Sequence, residues 1–379
     1  MKVICFLFDP NVGGPTIRAR AVYERMLAAG DDIRIAIPDM DGTAAAYLTE
    51  RAIPLDRLPI AKPVLPRKIR AFSKFVFTAP ISIIKLRAYL RRERPDVVHV
   101  NGAFDVIPAL AGRLANVPVV WHLNDTVFGK GLSRILGRLV KHVADVIVIA
   151  ATRVGQHYDV MDAAPHVIFA PVDIDRFQPV THPLHSPPKA TLIGNWNWIK
   201  GQGRFVDVID ILRGRGIPIE GEVVGKFLDS QTDFWQPILA DIKARDLSDH
   251  IATPGFKDDM VAVLKDTDLL VLTSHSEASP ISLLEAMAMG VPCACFDVGG
   301  VAEMMGTYGD DPAGIVVPEG DVHALSDAVA QIITNSAIYD RYRKAGRRRV
   351  VAHYSLDACV QRHQLAYAAA ISKKEKIPT

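Results

Sequence analysis

Apolar and polar positions along this chain follow two alternating rhythms. Short β-branched runs occur at Val3–Phe8, Ile33–Ile37, Val97–Val100, Val117–Trp121, Val146–Ile149 and His166–Phe169. Between them lie longer stretches with helical spacing, such as Thr16–Ala29 and Ser133–His142. Apolar strands separated by amphipathic helices predict a parallel sheet covered on both faces. The rhythm breaks at residues 178–190, QPVTHPLHSPPKA, where a linker is expected. It resumes at Ala190–Gly194, Gly221–Gly225, Ile251–Pro254, Leu269–Thr273 and Val291–Phe296. The series closes with Gly314–Val317, a helix over Asp321–Thr334 and a basic helical tail from Tyr339 to about Lys373. The pattern predicts an α/β protein of two doubly wound domains facing across a cleft. Open sheets of this kind bind ligands at the carboxyl ends of their strands.

The most informative stretch is DLLVLTSHSEASPISLLEAMAMGVPCACFDVGGVAEMMG, from Asp268 to Gly306. It reads as strand, polar loop, helix, strand, Gly-Gly turn and helix. Ser279 suits an N-cap, and Pro280 suits the first helical position, just before Ile281. Gly290 and Pro292 end the helix. Free N–H groups and the dipole at such a helix start favour an anion. Glu277 in the loop and Glu285 on the helix are placed to take hydroxyls beside it. A ligand with sugar hydroxyls and a diphosphate satisfies all three. Glu285, between Leu284 and Ala286, would be a costly burial without a partner.

Composition narrows this only a little. At 379 residues, 49% hydrophobic and 23% charged, the chain is ordinary for a soluble protein of two domains. No apolar run reaches the roughly 18–20 residues of a membrane span, and MKVICFLF reads as a first strand rather than a leader. Cys5, Cys293, Cys295 and Cys359 lack metal spacing, which suits core packing in a reducing cytosol.

Charge is more telling. Residues 1–170 hold 23 Lys and Arg against 15 Asp and Glu, and residues 171–379 hold 21 against 27. Residues 57–92 contain no acid but carry ten basic residues, among them Lys62, Arg67, Lys68, Arg70 and Lys74, interleaved with Phe72, Phe77, Ile81 and Ile84. Such a stretch suits an anionic membrane surface, with a solvated helical face as the plainer alternative. No nucleic-acid motif accompanies it, so nucleic acid is not an expected partner.

From Gly255 to about Ala330 the chain closely resembles the C-terminal domain of retaining GT-B glycosyltransferases, best of all family 4. The resemblance rests on GFKDDM, the Glu277–Glu285 pair in its E-x7-E element, and GIVVPEGDVHALSDAVAQII. It extends more weakly to PDVVHV, NVPVVWHLND and VDIDRF. It implies two Rossmann-like domains, 1–175 on the acceptor side and 186–350 on the donor side, with 351–379 as a helix crossing back. The implied activity moves a sugar, with retention, from a UDP-, GDP- or ADP-linked donor to a glycan, lipid-linked or small-molecule acceptor. Cell-surface polysaccharide or glycolipid synthesis, in the cytoplasm or at the membrane's cytoplasmic face, is the implied setting.

By resemblance Glu285 holds the ribose, and Glu277 lies beside the donor sugar, where an oxocarbenium-like transition state needs a carboxylate. Lys200, in IGNWNWIKG, aims at the diphosphate, but Asn195 stands where the family usually has an arginine. Asn offers a neutral donor in place of a charged fork, so Arg204 is the nearest candidate to supply the charge. Gly13 and Gly14 match the N-terminal glycine loop, His122 the histidine near the anomeric carbon, and Asn124 and Asp125 its neighbours. Gly225, Lys226, Gly255 and Phe256 match segments lining the nucleotide pocket. Trp196 and Trp198 read either as core or as cleft lining. The run Arg341–Arg349 reads as a solvated helix face. No metal is expected, because Asp39–Asp41 (DMD) reads as a loop rather than a metal-holding D-x-D, and no dinucleotide cofactor, because the Gly13–Gly14 loop is not G-x-G-x-x-G. An epimerase of the same fold and a non-catalytic nucleotide-sugar binder are the competing readings.

Overall fold

The computed structural model describes residues 1–61, 69–126, 128–180, 183–307, 309 and 311–375, with residues 69–72 and 74 described by backbone alone. Lys62, Arg67 and Lys68 of the basic run, and residues 181–182 of the expected linker, lie outside the described residues. The chain forms two units, Met1–Pro171 with Leu356–Thr379, and Val172–Ser355.

The first unit begins with β1 (Lys2–Phe6), α1 (Gly14–Ala28), β2 (Asp32–Pro38), α2 (Ala44–Thr49) and β3 (Leu55–Leu58). It continues through α3 (Ile69–Glu93), β4 (Val97–Asn101), α4 (Val106–Ala115), β5 (Val119–Leu123) and α5 (Lys130–Val143). Then come β6 (Val146–Ile149), α6 (Thr152–Tyr158) and β7 (His166–Val167). The strands form one parallel sheet in the order β3-β2-β1-β4-β5-β6-β7. Winding reverses at β1, where Cys5 pairs with Ile35 on one side and His99 on the other.

The second unit runs through β8 (Lys189–Ile193), α7 (Gln202–Gly214), β9 (Glu220–Val224), α8 (Thr232–Ala244), β10 (Ile251–Gly255) and α9 (Met260–Lys265). It continues with β11 (Leu269–Leu272), α10 (Ile281–Ala288), β12 (Cys293–Phe296), α11 (Val301–Met305) and β13 (Gly314–Val317). The helices α12 (Val322–Thr334) and α13 (Ser336–His353) complete it. Its parallel order is β10-β9-β8-β11-β12-β13, with the reversal between β8 and β11. The final helix, α14 (Leu356–Glu375), belongs to the first unit, where Tyr367, Ala366 and Ala370 share a core with Tyr23 and Met26 of α1.

Central strands such as VIVI and LLVL are buried along their whole length. Parallel sheets require this, since helices cover both faces. The four cysteines are free and buried, as core packing anticipates.

Several expectations change. α1 starts at Gly14, because Pro15 is tolerated in a first helical turn. Gly13 is therefore its N-cap, in extended backbone. β5 runs on to Leu123, two residues past the expected Trp121, and His122 stands near its carboxyl end, as expected. β3 was not anticipated, because LDRL is short and only partly buried. Ser279 does not cap α10. Pro280 is itself the N-cap, extended at φ −67° and ψ 118°, and the helix starts at Ile281. Proline pushes its predecessor out of helical backbone, which leaves Ser279 one residue outside.

The basic run of α13 is only in part a solvated face: Arg341, Lys344 and Arg348 are exposed, but three arginines turn inward. Arg343 donates to Gly290 and Val180 carbonyls at 3.3 and 2.9 Å, and Arg347 to those of Ala288 and Phe177 at 3.0 and 2.8 Å. Arg349 donates to Met304 and Glu303 carbonyls at 2.7 and 3.0 Å. These groups include last-turn carbonyls of α10 and α11, which have no acceptor role inside their helices and favour a cation. Arg348 points away, to Asp311, with both side chains more than half exposed. Arg347→Met is expected to lower protection of α10 by about 2–4 kcal/mol, since several charged hydrogen bonds are lost. Arg348→Ala should change it by less than about 0.5 kcal/mol. Hydrogen exchange at the α10 and α11 amides of the full chain measures both.

Candidate active site

The carboxyl ends of β8 and β11 meet at the winding reversal of the second unit, where an open sheet leaves room for a ligand. Two loops are joined there. Asn197 caps a single 3₁₀ turn, Trp198–Lys200, by accepting from the Ile199 amide at 3.0 Å. The Thr273 hydroxyl bonds the carbonyls of Lys200 and Gly201 at 3.2 and 2.9 Å, and the His275 amide bonds the Ile199 carbonyl at 2.7 Å. This fixes Lys200 against the following loop, where its Nζ donates to Glu277 Oε1 at 2.6 Å. Ser274 donates to the same oxygen at 2.8 Å. Behind Glu277, Gly299 adopts φ +52°, and a Cβ there would stand 1.3 Å from the Glu277 carbonyl oxygen. Only glycine satisfies both constraints.

Glu285 lies one face along α10, half-buried. Burial pushes its carboxyl up to about 7, opposed by the Arg176 charge. An uncompensated acid in this position is ready to accept donors such as hydroxyls.

Other candidates surround the pair. The Asn195 carboxamide oxygen accepts from the Lys226 amide at 3.2 Å, and the Gly225 amide bonds the Gly255 carbonyl at 2.9 Å. The carboxyl ends of β8, β9 and β10 are thereby tied together. Lys226 and Phe256 are exposed there. The two tryptophans part company: Trp196 is buried and stacked on Phe227, whereas Trp198 is 55% exposed, with its ring 5.8 Å from His275. Ser274, Gly299, Arg176 and Glu319 were not singled out in the sequence. Only the Gly-Gly turn at 299–300 carried a signal.

In the first unit Gly13 and Gly14 meet no side chain that would demand glycine. His122 is fully buried, and its Nδ1 is contacted by the guanidinium of Arg18. Arginine only donates, so Nδ1 accepts and the ring proton sits on Nε2, which is buried without a partner. Burial first, and the Arg18 charge second, hold His122 well below the usual imidazole range. His99, stacked on His122, bonds Tyr23 and Tyr367 hydroxyls at 2.5 and 2.8 Å. Asn124 bonds Asn101, and Asp125 accepts from Tyr158.

His99, His122 and His363 offer nitrogen atoms within 4.8 Å of one another, a spacing that could hold a metal ion. Their chemistry opposes it, because a guanidinium occupies His122 and would stand beside any dication. Arg18 was missed in the sequence, where an arginine on a helix carries no mark of burial.

Two wound parallel sheets with this loop constellation define a GT-B glycosyltransferase. Residues 173–349 match the family described as glycosyl transferases group 1, and residues 13–160 match the glycosyl transferase 4-like domain. The chain belongs to this family and is a glycosyltransferase. One relative is the amylovoran biosynthesis glycosyltransferase AmsK of Erwinia amylovora, 23% identical over 90% of this chain and 86% of that one. Another is the UDP-Gal:alpha-D-GlcNAc-diphosphoundecaprenol alpha-1,3-galactosyltransferase of Escherichia coli, 22% identical over 73% of this chain and 76% of that one. Among solved structures, HepE of Anabaena in complex with UDP is similar at a TM-score of 0.80 and 17% identity, over 97% of this chain and all of that one.

Glu285 makes stability depend on pH. Its folded carboxyl titrates above an unfolded one near ~4.3, so the folded state keeps its proton as pH rises. Stability is full below that lower value and falls as pH climbs towards about 7. Glu285→Gln should therefore gain on the parent protein between pH 5 and 8, by on the order of 1–3 kcal/mol. Denaturant unfolding at the two pH values measures this.

Proposed function

We propose that the protein transfers a sugar, with retention of anomeric configuration, from a nucleotide-sugar donor to a glycan or lipid-linked acceptor in polysaccharide or glycolipid synthesis. The observation that carries this is the Lys200–Glu277 pair at the carboxyl ends of β8 and β11, with the raised carboxyl of Glu285 on the adjoining helix. The relatives' names support the setting, and the UDP complex of HepE supports a nucleotide-linked donor.

In this reading Glu285 takes the ribose hydroxyls and Lys200 the diphosphate, helped by the N-terminal amides of α10. The N-cap residue, Pro280, makes no side-chain cap to those amides, and the helix dipole there favours the leaving anion. The bond from the anomeric carbon to the phosphate oxygen breaks, and its electron pair stays on the diphosphate. Glu277 stabilises the oxocarbenium character that results. The acceptor oxygen bonds the anomeric carbon on the face being vacated, and its proton passes to the leaving diphosphate. Lys200 and the amides absorb that charge, so the step is proposed to need no metal.

A thermal-shift screen over UDP, GDP, ADP and their sugars tests the donor class, since a ligand of the folded state alone raises the melting temperature. One base series should stabilise the protein, and sugar should appear on acceptor with its configuration kept. An inverted product, or isomerised sugar formed from donor alone, would sink the reading.

We further place the protein at the cytoplasmic face of a membrane through α3. Its outer side exposes Val76, Phe77, Ile81 and Ile84, the second at 77%, while Ser82, Leu86 and Leu90 are buried. Lys85, Arg91 and Arg92 are exposed further along. Apolar side chains flanked by cations suit an anionic interface. Among the described residues no helix is long and apolar enough to cross a membrane. Co-sedimentation with vesicles of roughly one-third anionic lipid is expected, falling at least ~10-fold in a Phe77→Glu/Ile81→Glu protein. Equal binding of both proteins would contradict it.

A further inference from the structure

The carboxyl ends of β1, β4 and β5, neighbours in the first sheet, carry side chains that the proposed chemistry leaves unused. Phe8 follows β1, and its ring stacks on Phe104, past the end of β4, with centroids 4.8 Å apart and planes 17° from parallel. Phe128, in the loop after β5, backs Phe104 at 4.5 Å and a tilt of 53°. Phe128 is buried, whereas Phe8 and Phe104 keep part of their surface in solvent. The loop that carries Phe104 is fixed in place. Gly102 adopts φ +147°, a backbone that side chains rarely allow. Its carbonyl accepts from Trp121 Nε1 at 2.9 Å, and Asp105 Oδ2 accepts from the Asn101 amide at 3.1 Å.

Beside this aromatic shelf stands a pair of carboxamides. Asn101, 4% exposed, ends β4, and Asn124 follows β5. Asn124 Nδ2 donates to Asn101 Oδ1 at 2.8 Å, and among the described residues neither side chain makes another bond. Two amides paired in this way leave one NH₂ group and one carbonyl oxygen over, whichever way each is turned. A donor and an acceptor left over together match a hydroxyl, which donates and accepts at once. Asn101 lies three residues before Phe104, at most ~10 Å of chain, a span that one or two sugar rings cover.

Apolar packing accounts for Phe128 but not for two half-buried rings in a polar loop. An isoprenoid tail would cover the shelf and take water from the amide pair without replacing its bonds. A phosphate would meet the exposed carboxylate of Asp9, next to Phe8, which repels it. A pyranose suits both halves, since one face is apolar C–H and its edge carries hydroxyls. We propose that this shelf is the acceptor subsite, and that the acceptor presents a neutral pyranose ring to it. The ring stacks on the Phe8–Phe104 pair, and one hydroxyl sits between Asn101 and Asn124. The inference rests on the transferase reading and deepens it, naming a glycan end rather than a bare lipid phosphate as the group that receives the sugar.

Saturation-transfer NMR on the full chain tests this, with the methyl glycosides of glucose, galactose, mannose and N-acetylglucosamine as sugar probes and farnesyl phosphate as the lipid probe. At least one glycoside should bind, with saturation strongest on the C–H protons of one ring face. Phe104→Leu should weaken that glycoside about 3–10-fold, and Phe104→Tyr should keep it within about twofold of the parent. Asn124→Ala should weaken it by about 3–10-fold as well. In each variant the rise in melting temperature given by the nucleoside diphosphate should match that of the parent. No glycoside bound, equal binding in the parent, Phe104→Leu and Asn124→Ala, or farnesyl phosphate binding that Phe104→Leu abolishes would each overturn the proposal. Asn124→Ala leaves every ring in place, so it remains informative if the Phe104 variants fold poorly. A parent protein that no nucleoside diphosphate stabilises would instead strike the nucleotide-sugar reading, whatever the glycosides do.

Discussion

A 2.6 Å ion pair between Lys200 and Glu277 holds together two loops that leave different strands of the second sheet. Both partners are largely shielded, and Ser274 adds a donor to the same carboxylate oxygen. Breaking one partner of such a pair leaves a charge without compensation, which costs more than the pair itself contributes. The surrounding backbone is built to keep it. Thr273 and His275 stitch the loops together, Gly299 lets the chain pass against the Glu277 carbonyl, and the arginines of α13 secure the ends of α10 and α11. The pair satisfies both charges.

The first unit handles its polar core differently. Arg18, His99, His122 and His363 are buried together with Tyr23 and Tyr367. Burial keeps the imidazoles neutral, pushing His363 down to about 3, so the cluster carries the single charge of Arg18. Fixed tautomers follow, because arginine can only donate to His122, and His363 bonds the Cys359 carbonyl at 2.9 Å. Such a network specifies one arrangement of α1, β4, β5 and α14 more sharply than apolar packing would.

Much of this was legible in the sequence, for reasons that differ by element. Parallel strands announce themselves as apolar runs, so VIVI and GIVV were bounded to the residue. Glu277 and Glu285 stood out because carboxylates in an apolar context need a reason. What failed was local geometry and long-range partnership. Pro280 shifted the start of α10 by one residue, and β5 ran two residues past Trp121. The run Arg341–Arg349 looked solvated because sequence does not reveal which carbonyls wait opposite. Arg18 and Glu319 were silent for the same cause: their meaning lies in side chains far away in the chain. Trp196 and Trp198 share composition and spacing, and only the fold separates the core ring from the exposed one.

Lys200 and Glu277 are assigned separate duties, one towards the diphosphate and one towards the sugar. Glu277→Gln separates these duties most directly. It keeps the shape of the side chain, removes its charge and frees Lys200. The account predicts that the stabilising nucleoside diphosphate binds as tightly as before or more tightly, while sugar transfer falls by roughly two to four orders of magnitude. Binding and transfer lost together, or transfer preserved, would contradict it.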